Sequence, residues 1–352
     1  MTKMKRIFTF CIAIIMLLCF ASACSEQPKE SENIEKVKGE VVATVGDTKI
    51  FDYELRYYAT MQGISTDEAL NYLTESTQMV HYAEANGMKV SQEDIDATKA
   101  QIEKEKTENK NFASFLGILG IDEGQYQSVV LTHLKYVKAF EKVMQDGKLK
   151  GFTPADVRMH FDKNFLCAKH ILIAFTDEEG NTRTEQEALQ LASEVKRRLE
   201  AGEDVDGLIE EFSDDPDTEA APLGYVFANQ RLYPSEIVPS MNRFGVIMAP
   251  EFNDAVAALE PGEISEPVKT EFGYHVILRL EHKDDTIYAT GRDDALNVLV
   301  LLNQEAYEKE LNAFVTEMNK KYPVKTNDEA VKKQDAEIEK IMLKFTEMQM
   351  GI

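Results

Sequence analysis

Two short β-rich runs, each with one histidine among apolar residues, constrain the fold of this chain most strongly. The first, residues 169–173, contains His170, and the second, residues 273–277, contains His275. Between them lie a helical pattern, a Phe-Ser-Asp-Asp turn, a Leu-Gly pair and a Met-x-x-x-Phe pair. This order predicts a small α/β module. A lone histidine in a strand usually completes a core, so neither histidine by itself predicts a function.

The chain begins with features that are typical of an exported protein. Three basic residues within the first six precede the apolar run 7–21, and small residues then lead to Cys24. A positive segment, a short apolar segment and small residues at a cleavage point predict a secretory signal over residues 1–23. The apolar run is short for a membrane span, and an uncleaved anchor is the alternative.

Cys24 follows these small residues in a way that resembles a bacterial lipobox, whose cysteine carries lipid. Ala21 stands where lipoboxes more often have leucine. Two acyl chains on Cys24 would be enough for stable anchoring. Residues 24–40 begin with a polar, charged stretch that predicts a flexible tether. We therefore expect a lipid-anchored protein on the extracytoplasmic face of the cell membrane.

The composition is that of an acidic protein, with a net charge of −23. A body this acidic is not drawn to nucleic acid or to an anionic membrane surface. It can attract basic clients, although high acidity also simply keeps an exported protein soluble. The sequence has no Gly-rich phosphate loop, no nucleophile elbow and no cysteine–histidine cluster with zinc spacing. Neither a metal ion nor an organic cofactor is expected.

The four cysteines leave no pair for a disulfide in the mature body. Cys11 and Cys19 depart with the signal, and Cys24 would carry the lipid. Cys167 remains, and we predict a small buried residue near the first histidine strand, with a reactive thiol as the alternative.

Helical patterns lie on both sides of the α/β module. On the N-terminal side, a strand–turn–strand signal at residues 41–50 precedes helical spacing from Phe51, and the capping box Ser65-x-x-Glu68 begins a helix that ends near Gly87. Further helices are predicted at residues 95–109, 122–145 and 154–165. On the C-terminal side, Asp293 to Lys321 is predicted as one long helix. Residues 327–350 are predicted as another, with one apolar stripe formed by Ile338, Ile341, Met342 and Phe345.

The module from Lys169 to Leu280 resembles a parvulin-type peptidyl-prolyl isomerase domain, and the whole order resembles the PrsA-type foldase lipoproteins and the related SurA-type chaperones. The resemblance implies an α+β fold: a parvulin-like α/β module, with a central antiparallel sheet and flanking helices, inserted in a mainly helical chaperone domain. The helical domain would combine an N-terminal region, residues 41–160, with a C-terminal region, residues 290–352. The isomerase domain would span residues 165–284.

The resemblance also assigns the site. His170 and His275 match the two family histidines on adjacent strands, and Thr270 matches a threonine that supports them. Asp215 matches the acid that faces the substrate amide, although a solvated acidic turn is the rival interpretation. The apolar cup for the proline ring would be formed by four residues, namely Leu223, Met248, Phe252 and Phe272. The alternative is that the first three are ordinary core residues.

Three departures from the family pattern affect this assignment. Ala221-Pro222 replaces a Gly-Asp pair whose aspartate shapes the turn before Leu223. Phe272 stands where some eukaryotic members have serine. Leu223 and Met248 are also further apart than usual, and the extra stretch Phe227 to Ile247 fits a lip on the pocket, a client-binding arm or a plug. The loop at residues 176–180 is acidic where phosphate-selective members are basic, so phosphopeptide specificity is not expected.

Two functions follow from this resemblance. The first is an isomerase that accelerates the folding of exported, proline-containing polypeptides, with a homodimer through the helical domain as an option. The second is an ATP-independent holdase whose parvulin module is catalytically inactive. A solute-binding lipoprotein is disfavoured, because the sequence lacks the repeated βαβ pattern of that class.

Overall fold

The structure is a computed structural model that describes residues 38–177, 180–215, 223–242 and 247–350. The predicted signal, Cys24 and most of the tether lie outside these residues, as do Ala221 and Pro222. The helices and strands follow in chain order: β1 (Val41–Val45), β2 (Thr48–Phe51), α1 (Asp52–Gln62), α2 (Thr66–Ala85), α3 (Gln92–Glu108), α4 (Phe112–Leu119), α5 (Glu123–Gln145), α6 (Pro154–Asn164), β3 (Phe165–Ala174), α7 (Glu185–Glu200), α8 (Val205–Phe212), β4 (Tyr225–Ala228), α9 (Val238–Met241), α10 (Pro250–Ala258), β5 (Val268–Lys269), β6 (Gly273–Leu280), α11 (Asp285–Leu302), α12 (Gln304–Lys321), β7 (Val324–Thr326) and α13 (Asp328–Met350).

The chain divides into two compact units. The first joins residues up to Pro154 with those from Asn303 onward, and the second is Ala155–Leu302. The predicted α+β class is confirmed, since a four-stranded antiparallel sheet with flanking helices lies in a unit between two segments of a mainly helical one. The narrower domain limits, 41–160, 165–284 and 290–352, stay predictions. Among the described residues, no helix combines the length and the apolarity that a membrane span requires.

The first unit joins both ends of the described chain through a small sheet. Strand β1 pairs antiparallel with β2 on one side and with β7 on the other. The predicted capping box at Ser65 is confirmed, because Ser65 accepts from the backbone N–H of Glu68 while the Glu68 side chain accepts from Ser65. Helix α2 packs against α5, and α13 packs against α1. On α13, Ile338 and Ile341 of the predicted stripe are buried.

The prediction of one helix from Asp293 to Lys321 was wrong. Helix α11 begins earlier, at Asp285, and ends at Leu302, where Asn303 leaves helical geometry with φ −122° and ψ 36°. Within the second unit, the first part of α11 packs closely against α6 and β4. A Cβ at Gly291 would lie 2.6 Å from atoms of both Phe161 and Val226, so glycine permits the close approach.

The sheet of the second unit has the strand order β4-β3-β6-β5. Alternation divides the central strands β3 and β6 between two faces. Ile171, Ile173, Tyr274 and Val276 form one core, which α7 and α8 cover. Ala168 and Ile277 belong to the other core, together with Phe227 of β4 and Phe252 of α10. The candidate site lies on this second face.

The extra stretch begins later than the sequence suggested. Phe227 is fully buried and pairs with Leu166, so it belongs to edge strand β4, not to an insertion. The additional residues therefore follow Ala228.

Candidate active site

The register of β3 and β6 brings the two histidines together. His170 lies opposite Ile277, and His275 lies opposite Leu172, so the histidines are diagonal neighbours on one face of the sheet. Their Nδ1 atoms are 3.1 Å apart. His170 is 5% exposed and His275 is 6% exposed, so this polar contact is shielded from water.

Thr270 completes one side of the pair from the turn between β5 and β6. Its Oγ1 lies 2.8 Å from Nε2 of His275 and also accepts from the backbone N–H of Phe272, at 3.2 Å. The turn sits tightly against β3, because a Cβ at Gly273 would lie 2.1 Å from the carbonyl oxygen of Ile173. Only glycine allows this approach.

The Phe-Ser-Asp-Asp turn is attached to β3 by its own polar groups. The backbone N–H of Asp214 donates to the carbonyl of Leu172 at 2.8 Å, and Ser213 Oγ accepts from the N–H of Leu172 at 3.2 Å. The Asp214 carboxylate accepts from Ala174 N–H and pairs with Arg183 at 2.6 Å. The turn is therefore a fixed part of the sheet edge, and Asp214 is not a solvated surface acid.

Asp215, the next residue, reaches the histidine pair. Its Oδ2 lies 2.8 Å from Nε2 of His170 and 3.0 Å from the hydroxyl of Tyr225, which donates to it. The backbone N–H of Asp215 donates to Ser213 Oγ at 3.3 Å. The carboxylate thus contacts the site from a segment more than 40 residues after His170 in the sequence.

One assignment of protons satisfies the whole chain of contacts. The Thr270 hydroxyl donates to His275 Nε2, His275 Nδ1–H donates to His170 Nδ1, and His170 Nε2–H donates to Asp215. Each histidine is then neutral, with one donor and one acceptor nitrogen. The pKa of His275 is lowered to about 3, chiefly by burial and also by His170, while Asp215 acts in the opposite direction. In this assignment the acceptor nitrogen of each histidine already accepts a hydrogen bond, so neither has a free lone pair with which to attack a substrate.

Aromatic and apolar side chains cover the polar chain. The ring of Phe252 lies 5.0 Å from that of His170 and 5.4 Å from that of His275, centroid to centroid. Met248 packs against the same core. Leu223 and Phe272, the other two residues of the expected cup, are 38% and 57% exposed. Both apolar side chains are therefore free to contact a ligand from solvent.

The additional residues after Ala228 are fastened to α10 and α6 where the structure describes them. The backbone N–H of Gln230 donates to the Asn253 side chain, and the Gln230 side chain donates to the Met248 carbonyl at 2.8 Å. Arg231 pairs with Asp254 at 2.7 Å. Tyr233 lies 3.4 Å from Nε2 of His160, measured from its hydroxyl. These contacts hold Met248 in place from outside the family motif.

Sequence reasoning missed Tyr225 and Arg183. Tyr225 lies two residues from Leu223, and the strand alternation Tyr225–Phe227 was the available signal. Arg183 was invisible because its partner Asp214 lies far away in sequence. Cys167 is buried and its pKa is raised to about 12 by burial, so the predicted small buried residue is confirmed. Across the described residues, no group of three or more His, Cys, Asp or Glu side chains is placed to hold a metal ion.

Comparison with known families identifies the class of this module. Residues 170–281 match the rotamase family, described as the PPIC-type PPIase domain. The chain therefore contains a parvulin-type peptidyl-prolyl isomerase domain, and the matched segment includes all the polar site residues described above.

Relatives along more of the chain are PrsA foldases. The chain is 28% identical over 250 residues to foldase protein PrsA 4 of Bacillus cereus, an alignment that covers 70% of this chain and 75% of the relative. It is 30% identical over 211 residues to PrsA of Halalkalibacterium halodurans, covering 57% of this chain and 54% of the relative. The crystal structure of PrsA from Bacillus subtilis is similar at 22% identity and a TM-score of 0.33, with 79% of this chain and 92% of that chain covered.

Proposed function

We propose that this protein is a foldase that accelerates cis–trans isomerisation of Xaa-Pro bonds in unfolded or partly folded polypeptides. The observation that carries the proposal is the buried chain Thr270–His275–His170–Asp215, roofed by Phe252. Its setting in a domain of the PPIC-type PPIase family supports the same reaction.

The chemistry requires no covalent intermediate. Rotation about an Xaa-Pro bond faces a barrier of roughly 18–20 kcal/mol because it breaks amide resonance. An apolar pocket that holds the proline ring favours the twisted amide, which is less polar than the planar one. In this assignment Phe252 and Met248 form the inner wall of the pocket, while Leu223 and Phe272 contribute from its exposed side.

The polar residues would act through their electrostatic field. The Asp215 carboxylate, placed near the substrate carbonyl, disfavours the resonance form in which that oxygen is negative and the C–N bond is double. The two histidines orient one another and hold Asp215, so none of the three has to exchange a proton with the substrate. Thr270 supports the pair through His275.

The proposed place of action is the extracytoplasmic face of the cell membrane, with the body anchored by lipid at Cys24. The signal pattern and the small residues before Cys24 support this. Fractionation of cells that carry the full chain or its Cys24→Ala variant tests it. Membrane recovery of the parent chain and release of the variant are expected, and equal recovery would refute the lipid anchor. Sedimentation of the soluble body tests the homodimer.

The second candidate is a holdase whose parvulin module only binds clients. The additional residues between Ala228 and Met248 favour it, because they add apolar side chains to the module: Leu232 is 52% exposed. In this case both the helical unit and the module bind unfolded polypeptides, and neither catalyses isomerisation of Xaa-Pro bonds.

Exchange NMR on a short Xaa-Pro peptide distinguishes the two. The soluble body after Cys24 should accelerate exchange, and Asp215→Ala and His275→Ala should abolish the acceleration. His282→Ala is the matched control, since His282 is also a buried histidine of the second unit but lies against the Asp162 carbonyl, outside the site. No acceleration by the parent body, together with suppressed aggregation of an unfolded client, would establish the holdase instead.

A further inference from the structure

Tyr225 lies where a strand register, not a loop, places it beside the site. It pairs with Ala168 on β3, two residues before His170 on the same face. The preceding residue, Gly224, has φ +88°, and a Cβ there would lie 2.9 Å from the Ala168 carbonyl oxygen. The close approach at Gly224 brings the ring of Tyr225 to 5.1 Å from that of His170.

The hydroxyl of Tyr225 shares one oxygen atom with the histidine pair. Oδ2 of Asp215 accepts from Tyr225 at 3.0 Å, and the same atom lies 2.8 Å from His170 Nε2. Two donors that converge on one carboxylate oxygen fix its rotation about the terminal torsion. A phenol is a neutral donor, so it stabilises the carboxylate without cancelling its charge, as a lysine or arginine would.

We propose that Tyr225 is a positioning residue for the isomerisation, which holds the Asp215 carboxylate against His170 and keeps its charge available to the substrate amide. The inference rests on the proposed function, since it assigns Tyr225 to the same site. Tyr225 acts through Asp215, and its ring also packs against the core that contains Phe252.

A double-mutant cycle on the soluble body tests this coupling. Tyr225→Phe removes the hydroxyl and keeps the ring, so kcat should fall roughly tenfold, the usual effect of losing a hydrogen bond to a charged group, while KM stays unchanged. In an Asp215→Asn background the same substitution should have little further effect. A full tenfold loss in that background would show that Tyr225 acts independently of Asp215 and would overturn the inference.

The matched control is Tyr274→Phe. Tyr274 also donates its hydroxyl to a carboxylate, that of Glu185 at 3.1 Å, but it lies on the opposite face of the sheet. Its loss should leave kcat unchanged. Unchanged kcat in Tyr225→Phe would likewise overturn the inference while the proposed function stands.

An NMR measurement that does not depend on catalysis tests the role of Tyr225 separately from the proposed function. The carboxyl ¹³C signal of Asp215 reports its protonation, and removing a donor to the charged form favours protonation. The signal should therefore titrate at higher pH in Tyr225→Phe than in the parent protein, even if the parent catalyses nothing. Identical titration curves would show that Tyr225 does not hold the carboxylate.

Discussion

Replacing His275 by glutamine should reduce the pH dependence of the stability of the second unit. Burial lowers the pKa of His275 from 6.5 to about 3. Between pH 6.5 and about pH 3, His275 is therefore protonated in the unfolded chain but not in the folded unit. The free energy of unfolding consequently falls as pH falls below 6.5. Between pH 7.5 and pH 5 the linkage relation gives a loss of about 2 kcal/mol from this residue alone.

The difference between parent and variant isolates this contribution. His160, whose pKa burial lowers to about 4, and Asp294, whose pKa burial raises to about 7, titrate in the same range. Both remain in His275→Gln, so their effects cancel when the two proteins are compared at each pH. Glutamine keeps a donor and an acceptor near Thr270, which limits the loss of packing and hydrogen bonding.

Urea titrations followed by NMR give the measurement. The chain has no tryptophan and two units, so the amide signals of β6 are used to report the second unit separately. The parent should lose about 2 kcal/mol more than the variant between pH 7.5 and pH 5. Parallel curves for parent and variant would mean that folded His275 titrates near its ordinary value, and a neutral buried His275 would be refuted.

Three further substitutions have defined outcomes. Thr270→Val should destabilise the second unit by about 1–3 kcal/mol in urea, because it leaves the buried Nε2 of His275 unpaired, whereas Thr270→Ser should recover most of the loss. Gly224→Ala should lower the free energy of unfolding clearly more than Gly202→Ala. Both glycines have positive φ, +88° and +87°, but only at Gly224 would an added Cβ clash with the β3 backbone. Equal losses would contradict the close approach at Gly224. Asp294→Asn should lower stability at pH 5 relative to pH 7.5 by about 2–3 kcal/mol, since the raised pKa lets folding bind a proton there, and a flat difference would refute the burial of that carboxyl.

The sequence was most informative where a short pattern coincides with a strand. His170 and His275 lie in short β-rich runs that predict strands, and the family resemblance supplied their adjacency. The register is a tertiary property, since eight residue pairs between β3 and β6 determine it. The family resemblance therefore predicted the two residues and their neighbouring strands, whereas the 3.1 Å contact between their Nδ1 atoms depends on the register.

The failures have a common physical cause. Asp293 to Lys321 carries uninterrupted helical spacing, and the break at Asn303 has no proline or glycine to announce it. Phe227 likewise belongs to edge strand β4 because it is buried and pairs with Leu166. In both places the boundary depends on what the segment packs against, which local propensity does not encode.

The location of the polar residues bears on how the two candidate activities can be separated. Thr270, His275, His170, Asp215 and Tyr225 all belong to the unit Ala155–Leu302. Each is held by bonds to the strands of that unit, so a side-chain substitution among them alters the electrostatic field of the site while the residues of the helical unit stay unchanged. If the helical unit binds unfolded clients, the Asp215→Ala body should lose catalysis of Xaa-Pro isomerisation and still suppress aggregation. Loss of both activities in this variant would mean that the parvulin site itself is where clients bind.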